Sequence, residues 1–196
     1  MLPYVNIHTH RPTGSGIELR TAGVHPWNAD MQEVATLGER LSDVQAVGET
    51  GLDFVHGPAR EVQFGALRAQ LRIARERGLP VVLHCVKAFE PLMRELAECE
   101  PRAVIFHGFI GSPEQARQAL AKGYFLSFGE RAFASPKTLA ALRETPLSQL
   151  FLETDDSPVP IAEIYARAAE ARSVPAEELQ RATLANYKRT FETQHG

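Results

Sequence analysis

Residues 61–85 read EVQFGALRAQLRIARERGLPVVLHC, and two periodicities in that stretch set the fold class. Phe64, Leu67, Leu71 and Ala74 fall at helical spacing on one stripe of the first part, Glu61 to Arg77. Gly78 and Pro80 then stop the helix and release the chain into an extended run. Val81-Val82-Leu83 is continuously apolar, the mark of a strand covered on both faces. An amphipathic helix leading into a doubly covered strand is a unit of a parallel α/β sheet or barrel.

The same alternation extends in both directions. Short apolar runs occur at Tyr4 to His8, Leu19 to Val24, Ala46 to Leu52, Pro80 to Cys85, Ala103 to Phe106, Tyr124 to Phe128 and Leu150 to Glu153, most of them followed by helical periodicity. Ser112-Pro113-Glu114-Gln115 supplies an N-cap, a proline at the first helical position and a capping-box partner, and Gly123 suits a stop after Lys122. Ser135-Pro136 repeats the start signal, and a helical pair over about Ile161 to Arg172 and Ala176 to Phe191 follows the last run. Between His10 and Leu19 the chain is short and polar, with Pro12, Gly14 and Gly16, which leaves no room for a helix. The pattern predicts one domain over residues 1–196: an α/β, TIM-barrel-like parallel barrel reduced to seven strands, a distorted (β/α)7 with helices outside.

At 196 residues the chain is long enough to bury a core and short for two. Its 44% apolar and 23% charged content belongs to ordinary globular proteins and excludes a disordered class. A formal net charge of −3 gives no global attraction to phosphate backbones or anionic lipid, so nucleic-acid binding has to come from a local patch or a metal. Cys85 and Cys99 form no CxxC, and both read as small buried hydrophobes in a reducing cytoplasm. Strand alternation turns Cys85 away from the face that His84 takes. No apolar run approaches the ~20 residues of a membrane span, and the N-terminus shows no signal-peptide pattern. A cytoplasmic monomer without a membrane partner is expected.

The chemistry-bearing residues sit at the ends of the predicted strands. His8-Thr9-His10 closes the first run, and alternation puts both imidazoles on one face about 7 Å apart, where they can hold one divalent ion. A lone HxH is a weak signal, because strand-end histidines also serve as packed polar groups. The signal grows with Glu49 after Gly48, His84 after Leu83, His107 after Phe106 and Asp155 after Thr154. Each alone has an ordinary explanation, a self-satisfied histidine or a helix-capping aspartate. Together, at one barrel mouth, such groups are costly unless paired or metal-bound. Mixed imidazole and carboxylate donors without thiolate suit zinc, manganese, magnesium, nickel, cobalt or iron. Six donors exceed one tetrahedral ion, so two divalent metal ions bridged by Glu49 and a water are expected, an arrangement suited to hydrolysis.

HTH at 8–10, GVHP at 23–26, GETGLD at 48–53, VVLHC at 81–85, FHGFIGS at 106–112 and LETD at 152–155 resemble the TatD family of metal-dependent hydrolases in order and strand context. Asn186-Tyr187-Lys188-Arg189-Thr190-Phe191 resembles that family's ending, so the likeness spans essentially the whole chain. The resemblance implies a TIM-barrel-like phosphoesterase, often a deoxyribonuclease acting on DNA ends or nucleotides, within the wider amidohydrolase-like superfamily. It implies that His8, His10 and Asp155 hold one metal and His84 and His107 the second, with Glu49 bridging. Asp155 would also orient or deprotonate the attacking water, which makes Asp155 and Glu49 the catalytic carboxylates. His25 and Asp53 would be substrate-side or supporting residues. Lys87 would stand in for the basic residue that relatives carry where this chain has Val86.

The departures from the family pattern lie at the periphery. Arg11-Pro12 follows His10 where an aspartate is expected two places on. A strand and helices usual between HxH and GxHP are missing, and Asp156-Ser157-Pro158-Val159-Pro160 runs directly to the last helices where many relatives carry a longer loop. The metal set is complete, while the substrate-gripping rim is trimmed. His56 reads as an exposed loop histidine, Glu130 and Arg131 as an ion pair or helix start, and His195 as tail. Two rival readings remain: an amide or lactone hydrolase on the same barrel, and a non-catalytic metal-binding protein. The first is disfavoured because Glu49 fills the place that many such enzymes give to a modified lysine.

Overall fold

The computed structural model describes residues 2–192; His195 lies outside them. Among the described residues there are eight strands, β1 (Val5–Asn6), β2 (Ile17–Glu18), β3 (Thr21–Ala22), β4 (Ala46–Asp53), β5 (Val81–Val86), β6 (Val104–Phe106), β7 (Phe125–Phe128) and β8 (Leu150–Leu152), and seven α-helices, the two kinds alternating from β3 to α6. The helices are α1 (Met31–Thr36), α2 (Arg60–Arg77), α3 (Phe89–Cys99), α4 (Pro113–Ala121), α5 (Pro136–Glu144), α6 (Ile161–Arg172) and α7 (Ala176–Tyr187). The chain divides into two compact units, one built from Met1–Leu19 with His107–Gly196 and the other from Arg20–Phe106.

In the first unit β1 pairs in parallel with β2, and β7 with β8. The Ile7 amide donates to Leu152 O at 3.1 Å, which sets β1 beside β8. The buried Tyr165 of α6 holds β1 from behind: its hydroxyl donates to Val5 O at 2.9 Å and accepts from Val5 N–H at 3.3 Å. Asn186 of α7 does the same for β8, its amide donating to Leu147 O and Leu150 O at 2.8 and 2.9 Å. The predicted capping box forms at Ser112 and Gln115, and Gly123 takes φ 78° just past α4. The last helix stops at Tyr187 and continues as a wider π turn, Lys188–Glu192, instead of running on as α-helix to Phe191.

In the second unit β3, β4, β5 and β6 pair in that order, all parallel. Of the predicted α2 stripe Leu67, Leu71 and Ala74 are buried and Phe64 is half-buried, with Gln63, Ala66 and Gln70 completing the inner face; each buried leucine contributes about 1.5–3 kcal/mol. The run Leu19 to Val24, read from sequence as one strand, is not continuous. Leu19 N–H still bonds to Asn6 O, whereas Arg20 O accepts from Gln45 N–H and Thr21 and Ala22 pair with Ala46 and Val47. The change of partner splits the segment into β2 and β3, and eight strands stand where the pattern suggested seven.

Candidate metal centre

In the first unit, backbone pairing beyond β1 and β8 carries three of the predicted ligands. Asp155 N–H donates to His8 O at 3.1 Å, His10 N–H donates to Asp155 O at 2.9 Å, and Thr9 faces Asp155 in a parallel bridge. The Asn6 carboxamide repeats the clamp, donating to Thr154 Oγ1 at 2.9 Å and accepting from Thr154 N–H at 3.0 Å. Asp155 takes φ 54°, a left-handed conformation that aspartate tolerates because its short polar side chain bonds locally. As a result His8 Nε2 lies 3.3 Å from His10 Nε2, and Asp155 Oδ1 lies 3.7 and 3.5 Å from those two nitrogens. The His107 ring is 4.4 Å from that of His8, and donor atoms of His8, His107 and Asp155 all fall within 4.8 Å of one another. Ring nitrogens and a carboxylate oxygen converging at this spacing form a donor set suited to a divalent cation.

Glu153, which the sequence reading left inside a strand, completes this group. It is fully buried, and its Oε1 accepts from Gly108 N–H at 2.8 Å and from His107 Nδ1 at 3.2 Å, while Ser127 Oγ donates to Oε2. Because Oε1 is the acceptor, the His107 proton sits on Nδ1, and Nε2 presents its lone pair. A cleft of ≈ 260 Å³ opens beside Asp155, lined by Glu130, Arg131, Asp156 and Ser157 among others. Glu130 and Arg131 are ion-paired there, with Arg167 at 3.8 Å and Asp156 at 3.3 Å.

The second unit gathers His25, Glu49, Asp53 and His84. Gly48 and Gly51 allow the close approach of β4 to β5: a Cβ on Gly48 would stand 2.7 Å from Val82 Cβ, and one on Gly51 would collide with His84 O at 1.9 Å. A register shift between Val47 and Thr50 falls at Glu49, the kind of irregularity that re-aims a side chain. Gln70 of α2 clamps Val24, accepting its N–H at 2.7 Å and donating to its carbonyl at 3.0 Å, and so fixes the loop that carries His25. Glu49 Oε2 then lies 3.6 Å from His25 Nε2 and 3.7 Å from His84 Nδ1.

Asp53 supports His84 as Glu153 supports His107. Its Oδ2 is 3.0 Å from His84 Nε2 and accepts from Trp27 Nε1 at 2.6 Å, while Oδ1 accepts from Val55 and His56 N–H. Burial would raise this carboxyl's pKa, but the hydrogen bonds from Trp27, Val55, His84 and His56 outweigh it and hold the group well below the usual carboxylate range. An ionised Asp53 can only accept, so His84 carries its proton on Nε2 and turns the Nδ1 lone pair toward Glu49. His25 differs: its Nδ1 accepts from Trp27 N–H at 3.2 Å, which leaves the ring proton on Nε2 as a donor. Lys87 stands exposed just past β5, at φ 54°. Cys85 is a free thiol pushed up to about 12 by burial.

Comparison with known proteins follows the motifs. The family model described as TatD related DNase matches residues 17–192. An uncharacterized metal-dependent hydrolase, YjjV of Escherichia coli K12, is 32% identical over 188 residues, covering 84% of this chain and 73% of that one. A 3'-5' ssDNA/RNA exonuclease TatD of Citrobacter rodentium is 32% identical over 201 residues, covering 87% and 76%. The crystal structure of the Escherichia coli TatD homolog YjjV superposes with a TM-score of 0.78 at 30% identity, over 90% of this chain and 77% of that one. The TIM-barrel-like α/β fold class is that of these relatives.

Proposed function

We propose that this metal-dependent hydrolase, which belongs to the TatD-related DNase family, cleaves phosphodiesters at nucleic-acid ends. Two divalent ions are proposed, one held by His8, His10, His107 and Asp155 and one by Glu49 with His84. The observation that carries this reading is the pair of carboxylate-backed imidazoles, Glu153 behind His107 and Asp53 behind His84. Each carboxylate fixes a tautomer and leaves one nitrogen as a lone-pair donor, the arrangement of metal-ligating histidines. A divalent ion at such donors lowers the pKa of a water and withdraws charge from a phosphate oxygen.

The chain's own groups supply the rest. Asp155, 23% exposed beside the cleft, orients the attacking water and takes its proton, and Glu49 is the second catalytic carboxylate. His25 donates its Nε2 proton to a phosphate oxygen. The water oxygen bonds to phosphorus as the P–O bond to the sugar breaks, and the proton taken by Asp155 passes to the departing sugar oxygen. Lys87 is the proposed cationic contact to the substrate phosphate. The chain is further proposed to work as a cytoplasmic monomer. No helix among the described residues is long and apolar enough to cross a membrane.

The test is hydrolysis of a 3'-labelled single-stranded oligonucleotide with manganese, magnesium or zinc, beside amide and lactone substrates. Chelator-sensitive release of nucleotides is expected. Turnover of amides or lactones alone would transfer the site to the rival hydrolase class, and turnover of nothing would leave a metal binder.

A further inference from the structure

Trp27 is the single tryptophan of the chain and is half exposed, at 50%, yet it is not mobile decoration. Its indole Nε1 is anchored on the buried Asp53 at 2.6 Å, so the ring cannot fold down to hide its faces. It stands edge-on to His25, with centroids 4.9 Å apart and planes at 86°, and 6.0 Å from His84. On its other flank His56, 60% exposed in its side chain, lies 5.2 Å away at 53°. Trp27 therefore borders His84, and His56 stands beside Trp27 with its side chain open to solvent.

The loop bearing His56 is fixed just as firmly. Asp53 Oδ1 accepts from Val55 and His56 N–H at 2.8 and 2.9 Å. Gln63 of α2, buried, donates to the carbonyls of Asp53, His56 and Pro58 at 2.8 to 3.0 Å. Gly57 takes φ 89° and packs so tightly that an added Cβ would stand 2.7 Å from Pro26 O and 2.9 Å from Trp27 Cα. An anchor for Asp53 needs only an N–H. Exposing a large apolar ring on a rim already rigid has no stability return, whereas a pre-organised aromatic face binds flat ligands without an ordering cost.

The geometry points to Trp27 and His56 as a stacking platform for the base of a nucleotide bound at the Glu49 and His84 donors. This rests on the phosphodiester reading above and adds the specificity to it. A base on such a platform is read by its face and not by its edge, so recognition tolerates every base and requires one that is unpaired. The platform selects frayed or single-stranded ends.

The lone indole makes the test direct. Titration of deoxyadenosine monophosphate into the wild-type protein is expected to quench Trp27 fluorescence saturably, while deoxyribose 5-phosphate does not. In hydrolysis, replacing the terminal nucleotide of a single strand by an abasic residue should lower kcat/KM about tenfold or more. That preference should shrink toward unity in Trp27→Leu, be restored substantially in Trp27→Phe, and fall in His56→Ala. Comparing base-bearing with abasic substrate within each variant removes any general damage to the donor group below. Hydrolysis with equal rates on both substrates and no quench would overturn the platform and leave the hydrolase reading standing. Base-dependent quenching without hydrolysis would support the platform and overturn the hydrolase reading.

Discussion

Replacing Glu153 by glutamine isolates one property of the first donor group, the charge behind His107. Glu153 accepts from Gly108 N–H at 2.8 Å and His107 Nδ1 at 3.2 Å on one oxygen, and from Ser127 on the other. In Glu153→Gln the amide oxygen takes the first two bonds, and the NH2 donates to the Ser127 hydroxyl, which reorients its own proton. The two N–H donors keep their acceptor while the Ser127 proton and one amide hydrogen lose theirs, so a loss of about 1–3 kcal/mol is expected. Basicity at His107 Nε2 should drop, since outer carboxylates of this kind are worth roughly 10–100-fold in metal affinity. Glu153→Ala behaves differently. It strips the acceptor from two buried N–H groups at about 1–3 kcal/mol each and leaves a void besides, so a loss of at least about 3 kcal/mol is expected. Calorimetric titration of zinc or manganese into metal-stripped protein reads the first effect, and urea denaturation reads the second. A glutamine variant that binds metal within twofold of wild type would refute the positioning role of Glu153.

Asp155→Asn should lower turnover by more than about a hundredfold with little change in the unfolding midpoint, because asparagine also tolerates φ 54° and the pairing to His8 and His10 runs through the backbone; wild-type rates in that variant would remove it from the mechanism. Protein purified without chelator should carry about one to two equivalents of divalent metal by elemental analysis, and a metal-free preparation with full activity would end the case for the centre. Cys85, raised from its ordinary 9.0 to about 12 by burial, keeps its proton in the folded chain where the unfolded chain loses it. Its contribution to stability is therefore complete below pH 9 and is lost as pH climbs from 9 toward 12. Cys85→Ala should flatten that alkaline decline in a denaturation series, and an unchanged slope would contradict the assignment.

Much of this was legible because the decisive signals are local. The Gly78 stop, the Ser112 capping box and the Leu67, Leu71 and Ala74 part of the α2 stripe depend on residues within a few turns, and these appear in the structure. The proposed donors His8, Glu49, His84, His107 and Asp155 stand out in sequence as polar residues in or after apolar runs. Glu153 did not, because its role depends on bonds to residues 26 and 46 positions away, and in sequence it is one more residue of a strand end. The split of Leu19 to Val24 was hidden for a similar reason: which strand a segment pairs with is decided by its neighbours in space. His56 reads correctly as an exposed loop residue, yet nothing in its own neighbourhood in sequence predicts the Trp27 ring beside it.

The open side of the donor groups bears on the choice between an enzyme and a metal held for stability. A stabilising ion is best enclosed, with all coordination positions filled by protein. Here His8 and His107 are buried, but the His10 side chain is 55% exposed and that of Asp155 23%, and the cleft beside Asp155 opens the group further. In the second unit His25 Nε2 lies 3.6 Å from Glu49 Oε2, and its N–H is the group proposed above to meet the substrate phosphate. A buried flank beside an open one, His8 and His107 against His10 and Asp155, costs stability without a return unless a substrate enters. That asymmetry, in which the rigid side carries buried carboxylates and the wet side carries the groups that act, is what hydrolysis requires and mere metal storage does not.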